Sequence, residues 1–362
     1  MNDVGYMRLA LRLAKRGRTS PNPMVGAVVV KDGAIVGRGY HPRVGEPHAE
    51  VFALREAGER ASGADLYVTL EPCCHTGRTP PCTDGIIEAG VARVFAAMAD
   101  PDPKVSGQGF MRLREAGVVV ESGLCEADAI ALNEAYIKHR KTGTPLVILK
   151  SAMSLDGKIA TNTGDSKWIT GDLSRAYAHR IRRQVDAIVV GANTVRVDDP
   201  RLTARVGRRE YYPIRVVVTG SGDIPADAKL FFESGDSVVA AMACANSQLL
   251  RKLEQAGARI LTLEDRAGRP SIADLMRQLA GLGCLSVLIE GGSEIAASAL
   301  EERVVDKVLF FYAPRIIGGC ESVSAVGGAG SKCVASSISV ERTRVRRFGD
   351  DIAVEGYVVY PP

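Results

Sequence analysis

Between residues 3 and 16 a helical period gathers Arg8, Arg12, Lys15 and Arg16 on one arc and leaves Val4, Met7, Leu9, Leu11 and Leu13 on the rest, which predicts an amphipathic first helix. Pro21 and Pro23 then forbid helix. The apolar run 25–30, the turn Lys31-Asp32-Gly33 and the run 34–40 predict a hairpin with a proline-rich lip. After Pro47, which suits a helix start, the pattern predicts a helix over 48–60, a strand over 64–70, a helix over 83–89 and a strand over 93–97. A loop rich in Asp-Pro leads to a helix over 108–116, a strand over 118–121 and a helix over 125–139. Strands that alternate with helices in this way predict α/β layers. Gly143 and Pro145 break the pattern, so a domain boundary is expected there, between residues 1–144 and 145–362.

The second half opens with a strand over 145–150 and a loop at Asp156-Gly157, followed by a helix over 172–184 and an apolar strand over 187–190. Strands at 214–219, 237–243, 258–263 and 285–289 alternate with helices at 246–256, 271–281 and 293–301. This β-α-β rhythm predicts a doubly wound sheet. Residues 318–333 are rich in Gly and Ser and read as a flexible loop, or equally as a lid beside a second site.

Composition supports two cores and narrows the partners. The 362 residues are 46% apolar and 24% charged, a globular composition long enough for two domains. A net charge of +4 with 5% aromatics gives no basic, stacking surface for single-stranded nucleic acid, which favours a small-molecule substrate. Eight irregularly spaced cysteines and a start without an apolar signal core point to a reducing cytoplasm rather than to disulfides. The longest apolar runs fall far short of the roughly 20 residues of a membrane span, so no membrane is expected as partner.

The candidate chemistry lies between His48 and Cys82. His48, Cys73 and Cys82 supply the three nitrogen and sulfur ligands of a catalytic zinc site with one position open to water. Glu50 lies two residues from His48 and so does not share its helix face, which suits a general acid and base that approaches from another side. The alternative is a closed, four-ligand structural zinc site using Cys74 or His75. In the second half a strand runs into Gly291-Gly292-Ser293 and then a helix, where bare amides could receive a phosphate, although G-x-G-x-x-G follows no strand and many turns contain Gly-Gly.

The His-Ala-Glu at 48–50 with Pro72-Cys73 and a later cysteine resembles the cytidine-deaminase-like superfamily, most of whose members close the pattern as P-C-x-x-C. Here eight residues separate Cys73 from Cys82. With SPNPMVGAVVV upstream, TLEPCCHTGRTPPC looks like the deaminase half of the bifunctional riboflavin-biosynthesis deaminase/reductase family. KSAMSLDGKIA, SKWITG, GANTVRVDDPRLTAR and IEGGSEIAASAL resemble its reductase half, so the likeness runs from about residue 3 to 360. The resemblance implies an N-terminal cytidine-deaminase-like α/β/α domain and a C-terminal dihydrofolate-reductase-like α/β domain, with Zn2+ and NADPH as cofactors. It implies deaminase substrate contacts at Asn22, His41, His75 and Arg78. Cofactor contacts fall on Ala152, Trp168, Thr194, Asp198, Gly292 and Ser293, and reductase substrate contacts on Ser166, Arg182, Leu202, Arg205 and Glu290.

The substrate so implied is a phosphorylated ribosylaminopyrimidine, deaminated by the first domain and reduced from ribosyl to ribityl by the second. Arg78, Arg182 and Arg205 suit its phosphate by charge and fork geometry. The family also implies a homo-oligomer. Two rivals stand beside this reading: a nucleic-acid or nucleotide deaminase, and a second half that is a non-catalytic assembly module.

Overall fold

The alternating strands and helices assemble, in a computed structural model describing residues 1–75, 80–102 and 105–362, around two large sheets of five and nine strands. The chain divides into two units, Met1–Gly143 and Thr144–Pro362. In the first, α1 (Asp3–Ala14) precedes the hairpin of β1 (Gly26–Lys31) and β2 (Ala34–Tyr40). There follow α2 (Ala49–Ala57), β3 (Asp65–Val68), α3 (Cys82–Glu88), β4 (Arg93–Ala96), α4 (Gln108–Glu115), β5 (Val119–Ser122), α5 (Glu126–Leu132) and α6 (Glu134–Thr142). The sheet order is β2-β1-β3-β4-β5, with the β1 pairings antiparallel and the rest parallel.

Alternate residues of each strand feed opposite cores, as the period of two requires. Val29 and Leu66 meet Ala53, Ile86 and Leu113 on one face, while Val28 and Tyr67 meet Met7, Leu11 and Ala129 on the other. The result is the expected α/β/α layering. The helix expected over 125–139 is instead two, because Asn133 leaves helical geometry at φ −107° and is buried. Its amide accepts from Met24 N at 2.8 Å and donates to Met24 O at 3.0 Å, which ties the proline-rich lip to the helix break.

The second unit contains β6 (Leu146–Ser154), β7 (Lys158–Ala160), α7 (Asp172–Arg182), β8 (Ala187–Gly191), α8 (Ala192–Asp198), β9 (Ala204–Val206), β10 (Arg209–Tyr211), β11 (Ile214–Thr219) and β12 (Ser237–Met242). It continues with α9 (Ser247–Gln255), β13 (Ala258–Leu263), the short pair β14 (Asp265–Arg266) and β15 (Arg269–Pro270), α10 (Ile272–Gly281), β16 (Ser286–Glu290) and α11 (Ser293–Glu301). β17 (Lys307–Ala313), β18 (Val323–Ser324), β19 (Ser339–Phe348) and β20 (Asp351–Val359) complete it. The large sheet runs β13-β12-β11-β8-β16-β6-β17-β20-β19, parallel as far as β17 and antiparallel beyond. Helices cover both faces: Val189 and Val287 pack with Leu275 and Ala296, whereas Ile188 and Leu288 pack with Val195 and Leu253. This is a doubly wound sheet.

Residues 318–333 are fastened at several points rather than free. Ala325 N donates to Gly157 O at 3.0 Å, Lys158 Nζ to Ser322 O at 3.2 Å, and Gly327 N to Ser293 O at 3.1 Å.

The glycine at 39 sets how closely α2 lies on β2. A Cβ there would stand 2.0 Å from Ala49 O, inside the helix backbone that carries Glu50. Gly39→Ala should therefore push α2 off the sheet and destabilise the first unit by about 1–3 kcal/mol, read as a lower urea midpoint together with reduced zinc retention. An unchanged midpoint and metal content would show that the close approach is not limiting.

Candidate active sites

The three expected zinc ligands come from three separate elements. His48 is the residue that precedes α2, Cys73 follows the end of β3, and Cys82 is the first residue of α3. His48 Nδ1 lies 3.3 Å from Cys82 Sγ and 3.5 Å from Cys73 Sγ, and all three ligand atoms fall within 4.8 Å of one another. A tetrahedral zinc with Zn–N near 2.0 Å and Zn–S near 2.3 Å asks for N to S spacings of about 3.5 Å, so the donor set fits that metal. Cys74 faces Gln108 Oε1 at 3.9 Å and His75 is exposed, and among the described residues neither joins the cluster. Among the described residues the cluster thus offers three ligand atoms, the number a catalytic zinc takes, and not the four of a closed site.

Local chemistry suits a dication. A hydrogen bond from Cys82 holds the Cys73 thiol down at about 4, and Cys82 is pushed up in return by that same bond and by burial. Cys82 N also donates to Cys73 Sγ at 3.4 Å. Glu50 is 3% exposed and its Oε2 is buried without a hydrogen-bond partner. Burial first, and then the charge of Cys73, push its carboxyl up to about 7.

His41 and Asn22 stand beside this cluster. The rings of His41 and His48 meet edge to face with centroids 5.3 Å apart. His41 Nδ1 is 3.1 Å from Pro47 O, so it carries the proton and donates, and Nε2 accepts from Asn22 Nδ2 at 3.2 Å. Arg78 lies outside the described residues. Pattern reading missed Glu71, which is 4% exposed and accepts from the main-chain amides of Asp100, Gly107, Gly109 and Phe110 at 2.9–3.3 Å. It clamps the loop before α4 to the segment that carries Cys73.

In the second unit the candidates gather where neighbouring parallel strands end. β16 lies between β6 and β8, with Glu290 in register with Lys150. Arg182 on α7 donates to both Glu290 oxygens, at 2.8 and 2.5 Å, and to Thr203 O at 3.2 Å. Lys150, unnoticed in the sequence, is 4.0 Å from the same carboxylate. Burial alone would push Glu290 up, but Arg182 and Lys150 outweigh it and hold the carboxyl at about 2.

Gly291 and Gly292 follow at φ 85° and 87°, left-handed values that favour glycine, and a Cβ on either would stand 3.7 Å from Thr194 Oγ1. Ser293 begins α11. Asp198, the last residue of α8, accepts from Ser166 Oγ at 3.4 Å and pairs with Lys167 at 3.1 Å. Trp168 is exposed under the Arg175 guanidinium, Ala152 is half-buried near the end of β6, and Leu202 is buried at φ 54°. Arg205 on β9 is exposed.

The family description "Cytidine and deoxycytidylate deaminase zinc-binding region" matches residues 1–98, and "RibD C-terminal domain" matches residues 145–354. The riboflavin biosynthesis protein RibD of Aquifex aeolicus is 43% identical over 355 residues, covering 97% of each chain. The chain belongs to the RibD family. The structure of Acinetobacter baumannii RibD superposes with a TM-score of 0.90 at 36% identity, covering 99% of both chains. A diaminohydroxyphosphoribosylaminopyrimidine deaminase/5-amino-6-(5-phosphoribosylamino)uracil reductase from Thermotoga maritima gives 0.85 at 36% identity over 99% of this chain and 98% of that one. As a RibD, the chain is a bifunctional deaminase and reductase of riboflavin biosynthesis, with a zinc-binding deaminase region and a reductase domain of the NADPH-dependent type. The RibD C-terminal match removes the grounds for a non-catalytic second half.

Replacing Glu71 by Gln leaves fewer acceptor lone pairs for the four amides and turns an NH2 toward donors. Glu71→Gln should lose zinc to a chelator about tenfold or more faster than the native chain, and equal loss rates would remove Glu71 from the support of Cys73. Glu290 gives a pH test. Because its folded pKa of about 2 lies below the ordinary value near 4.3, its stabilisation is present above pH 4.3 and is lost as pH falls through 2. The stability gap between the native chain and Glu290→Gln, followed by Trp168 fluorescence, should be widest above about pH 5 and close toward pH 2. A gap that does not change with pH contradicts the pairing.

Proposed function

We propose that the first unit removes an amino group from 2,5-diamino-6-ribosylamino-4(3H)-pyrimidinone 5′-phosphate, and that the second reduces the product's ribosyl group to ribityl. His48, Cys73 and Cys82 hold zinc, which when bound makes a hydroxide nucleophile available near neutral pH. Glu50 takes the proton released at that step on Oε2 and passes it to the departing ammonia, a role that a carboxyl near 7 performs in both directions. Asn22, His41, His75 and Arg78 bind the substrate. The partnerless Glu50 oxygen beside a cluster of zinc-like spacing is the observation that carries this reading.

In the second unit NADPH supplies the hydride. Ala152, Trp168, Thr194, Asp198, Gly292 and Ser293 bind it around the strand ends, the place where open parallel sheets take ligands. Ser166, Arg182, Leu202, Arg205 and Glu290 bind the sugar phosphate. Within that set Arg182 acts through Glu290, to which two of its N–H groups are committed, so the phosphate falls to exposed Arg205. Lys150 supplies a proton: burial pushes its ammonium down while Glu290 holds it up.

No helix among the described residues is long and apolar enough to cross a membrane. We place the enzyme in the cytoplasm as a homo-oligomer acting on a free metabolite and not on nucleic acid. Light scattering of the purified protein tests the assembly state, and a monomer at working concentration would remove that part.

Glu50→Gln should lower ammonia release by about 10^2–10^4-fold at unchanged zinc content, while NADPH oxidation with the deaminated intermediate persists. Normal deamination would sink the role of Glu50. Failure of the purified chain to bind NADPH would sink the reductase half.

A further inference from the structure

Asn22 lies in the proline-rich lip before β1, and its main chain and side chain are held by different parts of the first unit. Thr19 closes a turn on it: Asn22 N–H donates to Thr19 O at 2.6 Å, and the Thr19 hydroxyl donates to Asn22 O at 2.9 Å. His41 turns the side chain. Its Nδ1 gives its proton to Pro47 O, so Nε2 needs a donor, and Asn22 presents Nδ2 to it at 3.2 Å. Oδ1, the acceptor of the same amide, has no hydrogen-bond partner among the described residues.

Downstream of Asn22 the chain has few groups by which to be fastened. Pro23 has no N–H, and its ring fixes φ while restricting the backbone of the residue before it. Met24 is therefore the first residue after Asn22 that can offer both main-chain groups, and both go to Asn133. Met24 N–H donates to Asn133 Oδ1 at 2.8 Å, and Asn133 Nδ2 donates to Met24 O at 3.0 Å. With φ of Pro23 locked, few free torsions separate Met24 from Asn22, so holding the one orients the other. Asn133 is 3% exposed and stands at the N-cap of α6, where an asparagine ordinarily closes the helix with its own side chain. Here it makes no capping bond; its amide is committed to Met24, 109 residues away.

We infer that Asn133 is a positioning residue for the deaminase: by holding Met24 it fixes the direction in which Asn22 Oδ1 faces the substrate. The inference rests on the reading that Asn22 binds that substrate. The side-chain bonds of Asn133 go to Met24 and reach neither the zinc ligands nor Glu50, so loosening them acts on substrate binding and not on the metal.

Asn133→Ala should raise the deaminase KM about tenfold, with kcat and zinc content little changed. In an Asn22→Ala background the same replacement should add nothing, because the group it positions is gone. A KM that stays at the native value, a loss carried by kcat or by zinc content, or an effect of equal size in the Asn22→Ala background would overturn the proposal. If the alanine chain is not recovered as soluble protein, Asn133→Asp is measured in its place: it keeps an acceptor for Met24 N–H and loses the donor to Met24 O, and the same pattern is expected. Asn22→Ala alone separates the two levels. An unchanged KM removes the reading of Asn22 and the inference with it, whereas a raised KM beside a native KM in the Asn133 variant removes only the role of Asn133.

Discussion

A carboxylate taken out of water costs several kcal/mol unless donors replace its hydration, and both sites are built around that constraint. Glu71 is met by four main-chain amides, which fixes the loop before α4 against the segment that carries Cys73. Glu290 is met by Arg182 from α7 and Lys150 from the neighbouring strand, which fixes where β6, β16 and α7 converge. Glu50 is the exception, with one oxygen left without a partner, and its carboxyl rises to about 7 in consequence of burial. A fully satisfied carboxylate is a structural post. An incompletely satisfied one can exchange a proton near neutral pH, so the same constraint separates the carboxylates that hold structure from the one we propose to act.

The guanidinium of Arg215 obeys the same rule with the sign reversed. It is wholly buried and donates to the carbonyls of Leu230, Glu233, Ser234 and Gly235. The turn it gathers also carries Glu233, which pairs with Arg201, and begins at Lys229, which pairs with Asp199. The loop bearing Leu202, which leads into β9, is thereby anchored at its start from outside the sheet.

Much of this was legible in the sequence where the signal was local. Periods of two and 3.6 residues located most strands and helices of both sheets, and the His48, Cys73 and Cys82 pattern pointed to side chains whose ligand atoms do lie within 4.8 Å of one another. What the sequence hid was non-local. Glu71 finds its amides 29 to 39 positions away, and Arg182 finds Glu290 at a distance of 108. No window sees such pairs. The break at Asn133 depends on Met24, 109 residues upstream, so a continuous helical pattern misled. Strand β19 escaped because its ten residues are nearly all exposed and charged or polar at most positions, which removes the buried face that pattern reading needs.

The eight-residue gap between Cys73 and Cys82 departs from the spacing most deaminases of this kind use, yet the ligand atoms stand at distances that suit zinc. The reason is that neither cysteine is positioned by the loop between them. Cys73 lies beyond β3, two residues after Glu71, which four main-chain amides hold, and Cys82 opens α3, from which its own N–H reaches Cys73 Sγ. With one end held by the Glu71 clamp and the other by α3, loop length changes closure entropy only slowly, about 0.6 kcal/mol for each doubling. The gap can then lengthen while the spacing of the three ligand atoms stays constant. The spacing of metal ligands in a sequence is therefore a poor guide to the site's geometry wherever each ligand sits at the edge of its own element, and a better guide to how much chain is available to recognise a substrate.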